Sequence, residues 1–216
     1  MNRRFDLIVF DWDGTLMDSA DAIVRSIRAA SRDAGLPEPS VSASRHIIGL
    51  GLIEAMRHLF PDAREEDWTR LADRYRHHYF QASDDIALFE GARETVEALG
   101  EAGYLLAVAT GKGRRGLDAA FEFSGIGRHF HASRCADESF SKPNPAMLFD
   151  LMERLGAQPS RTLMIGDTTH DLLMAENAGV KSVALCHGAH ERQVLEALSP
   201  LACLEDFAEL RAWLPV

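Results

Sequence analysis

Lysine, cysteine and long apolar runs are all scarce in this chain of 216 residues. Of its 23 basic residues only three are lysines, at 112, 142 and 181, which leaves 20 arginines. Cys135, Cys186 and Cys203 are odd in number, far apart and in no C-x-x-C pattern. That excludes a disulfide frame or a zinc knuckle and leaves reduced thiols packed as small apolar residues. The early apolar stretch from Phe5 to Phe10 is broken by Asp6 and runs straight into Asp11 and Asp13, so it reads as neither a signal peptide nor a membrane span. A cytoplasmic protein is expected.

Positive charge is also in deficit. Twenty-three Lys and Arg against 33 Asp and Glu give a net charge of −10, which repels polyanions and argues against a general nucleic-acid or anionic-membrane binder. Any phosphate must be met locally. Apolar residues at 46% and charged residues at 26% supply enough material for a sizeable core and exclude disorder. The length fits one core carrying an insertion better than two equal domains.

Short β-rich runs occur at 5–10, 104–109, 162–165 and 180–185, with a weaker one at 130–134. Helical patterns lie between them at 92–102, 115–124, 145–155 and 171–178, closed by Gly103, Gly125, Gly156 and Gly179. Strands alternating with helices predict an α/β fold with a doubly wound, Rossmann-like parallel sheet. The link from Phe10 to Tyr104 is far too long for one crossover, so something is inserted there. Apolar stripes Ile23-Ile27-Ala30-Ala34, Ile48-Leu52-Met56-Leu59 and Trp68-Leu71-Tyr75-Tyr79 make the insertion a small helical bundle. The expected division is a core of 1–16 and 84–216 with a helical cap of 17–83, joined by connectors at 16–20 and 83–91.

The first strand ends in Asp11-Trp12-Asp13-Gly14-Thr15, at the carboxyl edge where open parallel sheets bind ligands. The strand at 162–165 ends in Gly166-Asp167, with Asp171 four residues on. Four carboxylates from two strand ends need a counter-ion, and hard oxygen donors with no soft ligand beside them select Mg²⁺ over zinc. Asp11 and Asp167 are the expected direct ligands, while helix capping accounts for Asp18 and is open for Asp171.

Two other segments supply opposite chemistry. Thr110-Gly111-Lys112 offers a hydroxyl and backbone N–H groups for phosphate oxygens, and Lys142 in SKPNP sits before a helix start, where a nearby anion would explain a cation. Lys112 is expected as a solvated loop charge rather than a catalytic group.

With these segments in order, the chain resembles the haloacid dehalogenase superfamily, in its phosphatase branch with a helical cap, as in phosphoglycolate phosphatases. DWDGTLMDS matches the first motif of that family, the Thr110 strand end the second, Lys142 in SKPNP the third and GDTTHD at 166–171 the fourth. The resemblance implies that Asp11 is the nucleophile, forming an aspartyl-phosphate, and that Asp13 protonates the leaving alkoxide and later activates water. It also implies that Mg²⁺ is held by Asp11, Asp167 and the Asp13 carbonyl, and that Lys142 neutralises the phosphoryl group. Gly14, Thr110 and Gly111 are expected around the phosphate, and Asp171 is expected to hold Lys142 or a metal-bound water. Having Asp13 disfavours dehalogenation. The usual Pro-Gly after the cap is Glu90-Gly91 here.

Substrate choice in this branch resides in the cap, where Arg45, His46 and the Gly49-Leu50-Gly51 break are the candidates. His187 and His190 are expected in a solvated loop rather than a metal site, His170 is assigned no role, and Trp12, Met147, Met152 and Met174 are expected in the core. The leading expectation is a Mg²⁺-dependent phosphatase of a small phosphorylated metabolite, phosphoglycolate being the nearest candidate. Alternatives are a phosphosugar mutase, for which the cap has no lysine or paired basic site, and a non-catalytic phosphate-binding regulator, for which the catalytic set shows no gap.

Overall fold

The run Leu7–Phe10 forms β1, and all four side chains are buried, which requires packing on both faces of the strand. In the computed structural model, which describes residues 3–82 and 86–214, β1 lies inside a six-stranded sheet. The other strands are β2 (Leu105–Thr110), β3 (Ala132–Cys135), β4 (Thr162–Gly166), β5 (Lys181–Leu185) and β6 (Cys203–Leu204). Their spatial order is β3-β2-β1-β4-β5-β6 and every pairing is parallel. This is the doubly wound, Rossmann-like sheet expected, and its strand order reverses at β1, the point where such sheets open a crevice.

Before β2 the chain leaves the sheet to form α1 (Ala20–Asp33), α2 (Val41–His46), α3 (Leu52–Leu59) and α4 (Glu65–Ala82). These helices share an apolar cluster of their own, built around Ile23, Ile27, Ala30, Met56 and Leu71. Two details differ from the sequence reading. Helix α2 has no apolar stripe and buries only Ser44, so periodicity could not reveal it; the Ser40 side chain caps it by accepting from the Ala43 N–H. Ile48 lies in the turn before α3, so the stripe that seemed to join it to Leu52 spans a helix end. The expected boundary at 83/84 lies outside the described residues. Next to it the two connecting strands run side by side, with Asp18 N–H donating to the Ala87 carbonyl and Phe89 N–H to that of Leu16.

Helices α5 (Ala92–Glu101), α6 (Arg114–Ser124), α7 (Ala146–Leu155), α8 (Thr169–Asn177), α9 (Arg192–Glu196) and α10 (Phe207–Trp213) complete the fold. Alternation along β1 sorts its side chains between two faces. Ile8 and Phe10 join a cluster with Val96, Leu117 and Phe207, whereas Leu7 and Val9 join one with Leu148, Leu151 and Met174. Trp12 packs edge-on against Phe121 in the first cluster, and Met147, Met152 and Met174 lie in the second, as expected. All three cysteines are free thiols. Among the described residues no helix is long and apolar enough to cross a membrane.

Candidate active site

Register places the chemistry. Phe10 pairs with Val108 and with Ile165, so the residues just beyond them, Asp11-Asp13, Thr110-Gly111 and Asp167, emerge together at the carboxyl edge. Asp11 is anchored by its N–H donating to the Ile165 carbonyl at 2.9 Å. Its Oδ1 accepts from the Trp12 N–H at 2.6 Å and faces Lys142 Nζ at 2.8 Å; its Oδ2 is buried without a partner.

Lys142 arrives from the loop before α7, and its side chain is fully buried. Its ammonium also meets Asp171 Oδ1 at 2.6 Å. Burial disfavours that charge, but Asp11 and Asp171 outweigh it and hold the group above the ordinary lysine range. Asp171 does double duty. Its Oδ2 accepts from the N–H and hydroxyl of Thr168, closing the capping box of α8, while Oδ1 holds Lys142. Capping and the positioning of Lys142 therefore both apply, through separate oxygens.

Asp167 accepts from Thr15 Oγ1 at 2.5 Å on one oxygen and from the Ala189 N–H at 2.7 Å on the other. Gly14 and Gly188 both press on this carboxylate, and a Cβ at either would run into it. Gly14, expected around the phosphate, lies against the Asp167 carboxylate. With φ at 82° it makes a turn closed to side chains, and its N–H is spent on the Met17 carbonyl at 2.9 Å, so it offers close approach rather than a donor.

Ligand oxygens of Asp11, Asp167 and Asp171 lie within 4.8 Å of one another, all buried. Burial, with Asp171 and Asp167 adding repulsion, pushes the Asp11 carboxyl well above the usual range, against the pull of Lys142. Burial and then Asp171 push Asp167 up to about 7, against Thr15 and Ala189. The set fits a hard divalent cation on three counts: every donor is an oxygen, Asp11 Oδ2 has no partner, and four acids outnumber two lysines in the pocket by two charges. Asp11 is the carboxylate with an uncommitted oxygen, since Asp167 and Asp171 each accept hydrogen bonds on both of theirs; those of Asp167 leave a second lone pair on each oxygen, and neither oxygen faces an ammonium.

Asp167 has a folded value raised above its unfolded value, so its contribution is full below about pH 4 and is lost as pH rises through about 7. Adding Mg²⁺ should therefore raise the denaturation midpoint more at pH 8 than at pH 5, because the cation recovers the cost of the ionised acids. Thermal melts with Mg²⁺ and with chelator at both pH values check this; an equal increment at both would contradict it.

On the phosphate side, Thr110 is buried and its Oγ1 accepts from the Lys112 N–H at 3.1 Å, which leaves the hydroxyl hydrogen to point elsewhere. The insertion closes directly on this loop: a Cβ on Gly111 would strike the carbonyls of Gly49 and Leu50, and the Gly51 N–H donates to Ser141 Oγ at 2.7 Å. The Gly49-Leu50-Gly51 break is therefore brought to the site. Arg45 is not placed with it by any ion pair among the described residues, since its guanidinium binds Asp21 at 2.5 Å near the surface.

Lys112 overturns the expectation of a solvated loop charge. Its side chain is 9% exposed, with Nζ 3.1 Å from Asp13 Oδ1 and 3.2 Å from the Tyr79 hydroxyl. Asp13 Oδ1 also accepts from Ser19 Oγ at 2.8 Å and from the Tyr79 hydroxyl at 3.4 Å. Thr15, Ser19, Tyr79, Gly188 and Ala189 were all missed by sequence reasoning. The first two stand within or beside the D-x-D-G-T run and could have been found there; Tyr79 was hidden as the last member of an apolar stripe.

His187 and His190 likewise lie in no solvated loop. His187 stacks on Phe89 at 3.9 Å and its Nε2 is 3.0 Å from the Thr15 carbonyl, beside the connectors. His190 stacks on His46 at 5.2 Å, and the Nε2 atoms of His190 and His170 both meet the His46 carbonyl. His170 thus has a seam-holding contact. Burial, then His170, push His190 down to about 4, so this imidazole meets the insertion neutral.

A family model described as haloacid dehalogenase-like hydrolase matches residues 8–185. A Dickeya dadantii protein named "Probable phosphatase IndB" is 35% identical, with 94% of this chain and 91% of that protein covered. A phosphoglycolate phosphatase of Agrobacterium fabrum is 32% identical over 94% of this chain and 90% of its own length. Among solved structures, one titled a predicted phosphoglycolate phosphatase from Haemophilus somnus superposes with a TM-score of 0.88 at 26% identity, covering 99% of both chains.

Proposed function

Because the chain belongs to the haloacid dehalogenase-like hydrolases and is a phosphatase of that family, we propose that it hydrolyses phosphomonoesters of a small metabolite through a phosphorylated Asp11, with Mg²⁺ as its cation. We take 17–83 as a cap over a core of 1–16 and 84–216. The observation that carries the reading is Asp11 itself: a buried carboxylate with one oxygen held by an ammonium and the other bare.

In the first step an Asp11 oxygen attacks phosphorus while the ester P–O bond breaks and its electron pair leaves with the alkoxide, which takes a proton from the Asp13 carboxyl. In the second, water attacks the same phosphorus, gives a proton to Asp13, and the bond to Asp11 breaks to return its carboxylate and free phosphate. Three donors converge on Asp13 Oδ1, which leaves Oδ2 to carry that proton. Lys142 meets charge on the transferring group, and Asp171 keeps its ammonium aimed at Asp11. Thr110 and the Gly111 N–H orient the phosphoryl oxygens. Held by Asp11, Asp167 and the Asp13 carbonyl, Mg²⁺ would supply charge neutralisation on phosphorus. Closure of the Gly49-Gly51 segment over Gly111 keeps bulk water from the intermediate.

Phosphoglycolate, the substrate named for several relatives, is the first to try. Phosphate release from it and from a generic aryl phosphate is expected with Mg²⁺ and is expected to stop when a chelator is added. Steady turnover in excess chelator would remove the cation from this account.

A further inference from the structure

We propose that Lys112 and Tyr79 form a subsite for the leaving half of the substrate, selecting small leaving groups that carry a negative charge close to the ester oxygen. The inference rests on Asp13 acting at that oxygen, as set out above. It concerns what lies beyond it.

The side chains of Lys112 and Lys142 are both largely withdrawn from solvent, at 9% and 0% exposed, yet their surroundings differ. Lys142 lies between two carboxylates, Asp11 and Asp171, at 2.8 and 2.6 Å. Lys112 has one, Asp13 at 3.1 Å, and its other partner is the neutral hydroxyl of Tyr79 at 3.2 Å. Asp13 and Tyr79 take two of the three N–H donors of this ammonium, which leaves one to give. Its Nζ also sits 4.5 Å from the centre of the Tyr79 ring, and Tyr75 stacks behind that ring at 5.6 Å, so the cation is held in a fixed place.

Position then decides what this cation meets. A general acid works within about 2.6–3.2 Å of the oxygen it protonates. Since Lys112 lies at a similar distance from the same carboxylate, atoms one or two bonds past the leaving oxygen come within its reach. A carboxylate there meets a buried ammonium in a poorly screened seam, whereas an uncharged group meets a donor it satisfies less well. Room is limited, because the carbonyls of Gly49 and Leu50 close on Gly111 next to Lys112. Small leaving groups fit and bulky ones do not. Tyr79 comes from α4 and Lys112 from the loop after β2, so each body contributes one wall and the subsite is complete only when they meet.

The test compares two esters of matched size, 2-phosphoglycolate and 2-hydroxyethyl phosphate, by kcat/KM with Mg²⁺. The native chain should favour the carboxylate by about tenfold or more, the range set by one charge-assisted hydrogen bond. Lys112→Met should bring the ratio close to one, Lys112→Arg should keep part of it, and Tyr79→Phe should reduce it. Equal kcat/KM for the two esters in the native chain, or an unchanged ratio in Lys112→Met, would overturn the subsite. If Lys112→Met fails to fold by circular dichroism, the Tyr79→Phe ratio decides in the same two directions. A native chain that releases phosphate from neither ester nor an aryl phosphate overturns the parent reading instead, and that result is distinct from a lost preference in an active enzyme.

Discussion

Asp11→Asn is expected to slow phosphate release by roughly 10⁴-fold or more, the scale on which removing one member of a nucleophilic set acts. The amide is nearly isosteric with the carboxylate, so the contacts around it are kept in shape. What goes is the attacking oxygen and its charge. Stability should move the other way. Burial and two neighbouring acids penalise the Asp11 charge, so a neutral side chain relieves the cation-free protein. At pH 8 in chelator, Asp11→Asn should therefore denature at a urea concentration no lower than the native chain. A variant that is inactive because it is unfolded would fail that comparison, and a variant that keeps native activity would remove Asp11 from the chemistry.

Lys142→Met should be the most damaging single change to stability. The methionine fills much of the same volume, but Asp11 and Asp171 then face each other in a fully buried place with no cation between them. Breaking a buried pair from one side costs about 3–5 kcal/mol. That is a large part of the total stability of a single domain. The loss has a defined sign with pH: without the lysine's pull the Asp11 carboxyl, already raised by burial, is driven further toward protonation, so the deficit grows as pH rises from 5 to 8. Urea denaturation of both chains at these two pH values measures it. A deficit that shrinks with rising pH would show that the lysine does not compensate these acids.

Much of this was legible from strand ends. Parallel strands buried on both faces read as apolar runs, and the residues that follow each run are forced to the carboxyl edge, which is why Asp11, Thr110 and Asp167 can be grouped from the sequence alone. Lys142 was legible because a cation before a helix asks for an anion, whereas capping alone could account for Asp171 and only the family resemblance paired it with Lys142. Periodicity served less well inside the insertion. Helix α2 buries almost nothing apolar, and Ile48 kept a helical spacing across a turn.

Of the contacts that join the insertion to the sheet, the Gly49-Gly51 break and His46 could be assigned to the facing side, but the residues they meet could not. Lys112 looks like any loop lysine until α4 lays Tyr79 over it, and His46 has no reason to sit beside His190 until the two bodies close. Such pairs lie far apart in the chain, and neither partner carries a local signal of the other. Gly14, which the resemblance placed around the phosphate, has the space beside it taken by Asp167, a contact no local feature of the sequence announces.

The stereochemical course at phosphorus tests the central claim most directly. A substrate made chiral at phosphorus with sulfur and oxygen isotopes is hydrolysed by the native chain with Mg²⁺, and the configuration of the released thiophosphate is read. Attack by Asp11 followed by attack of water gives two in-line inversions and therefore net retention. Net inversion would mean that water displaces the leaving group in a single step, with Asp11 never bonded to phosphorus.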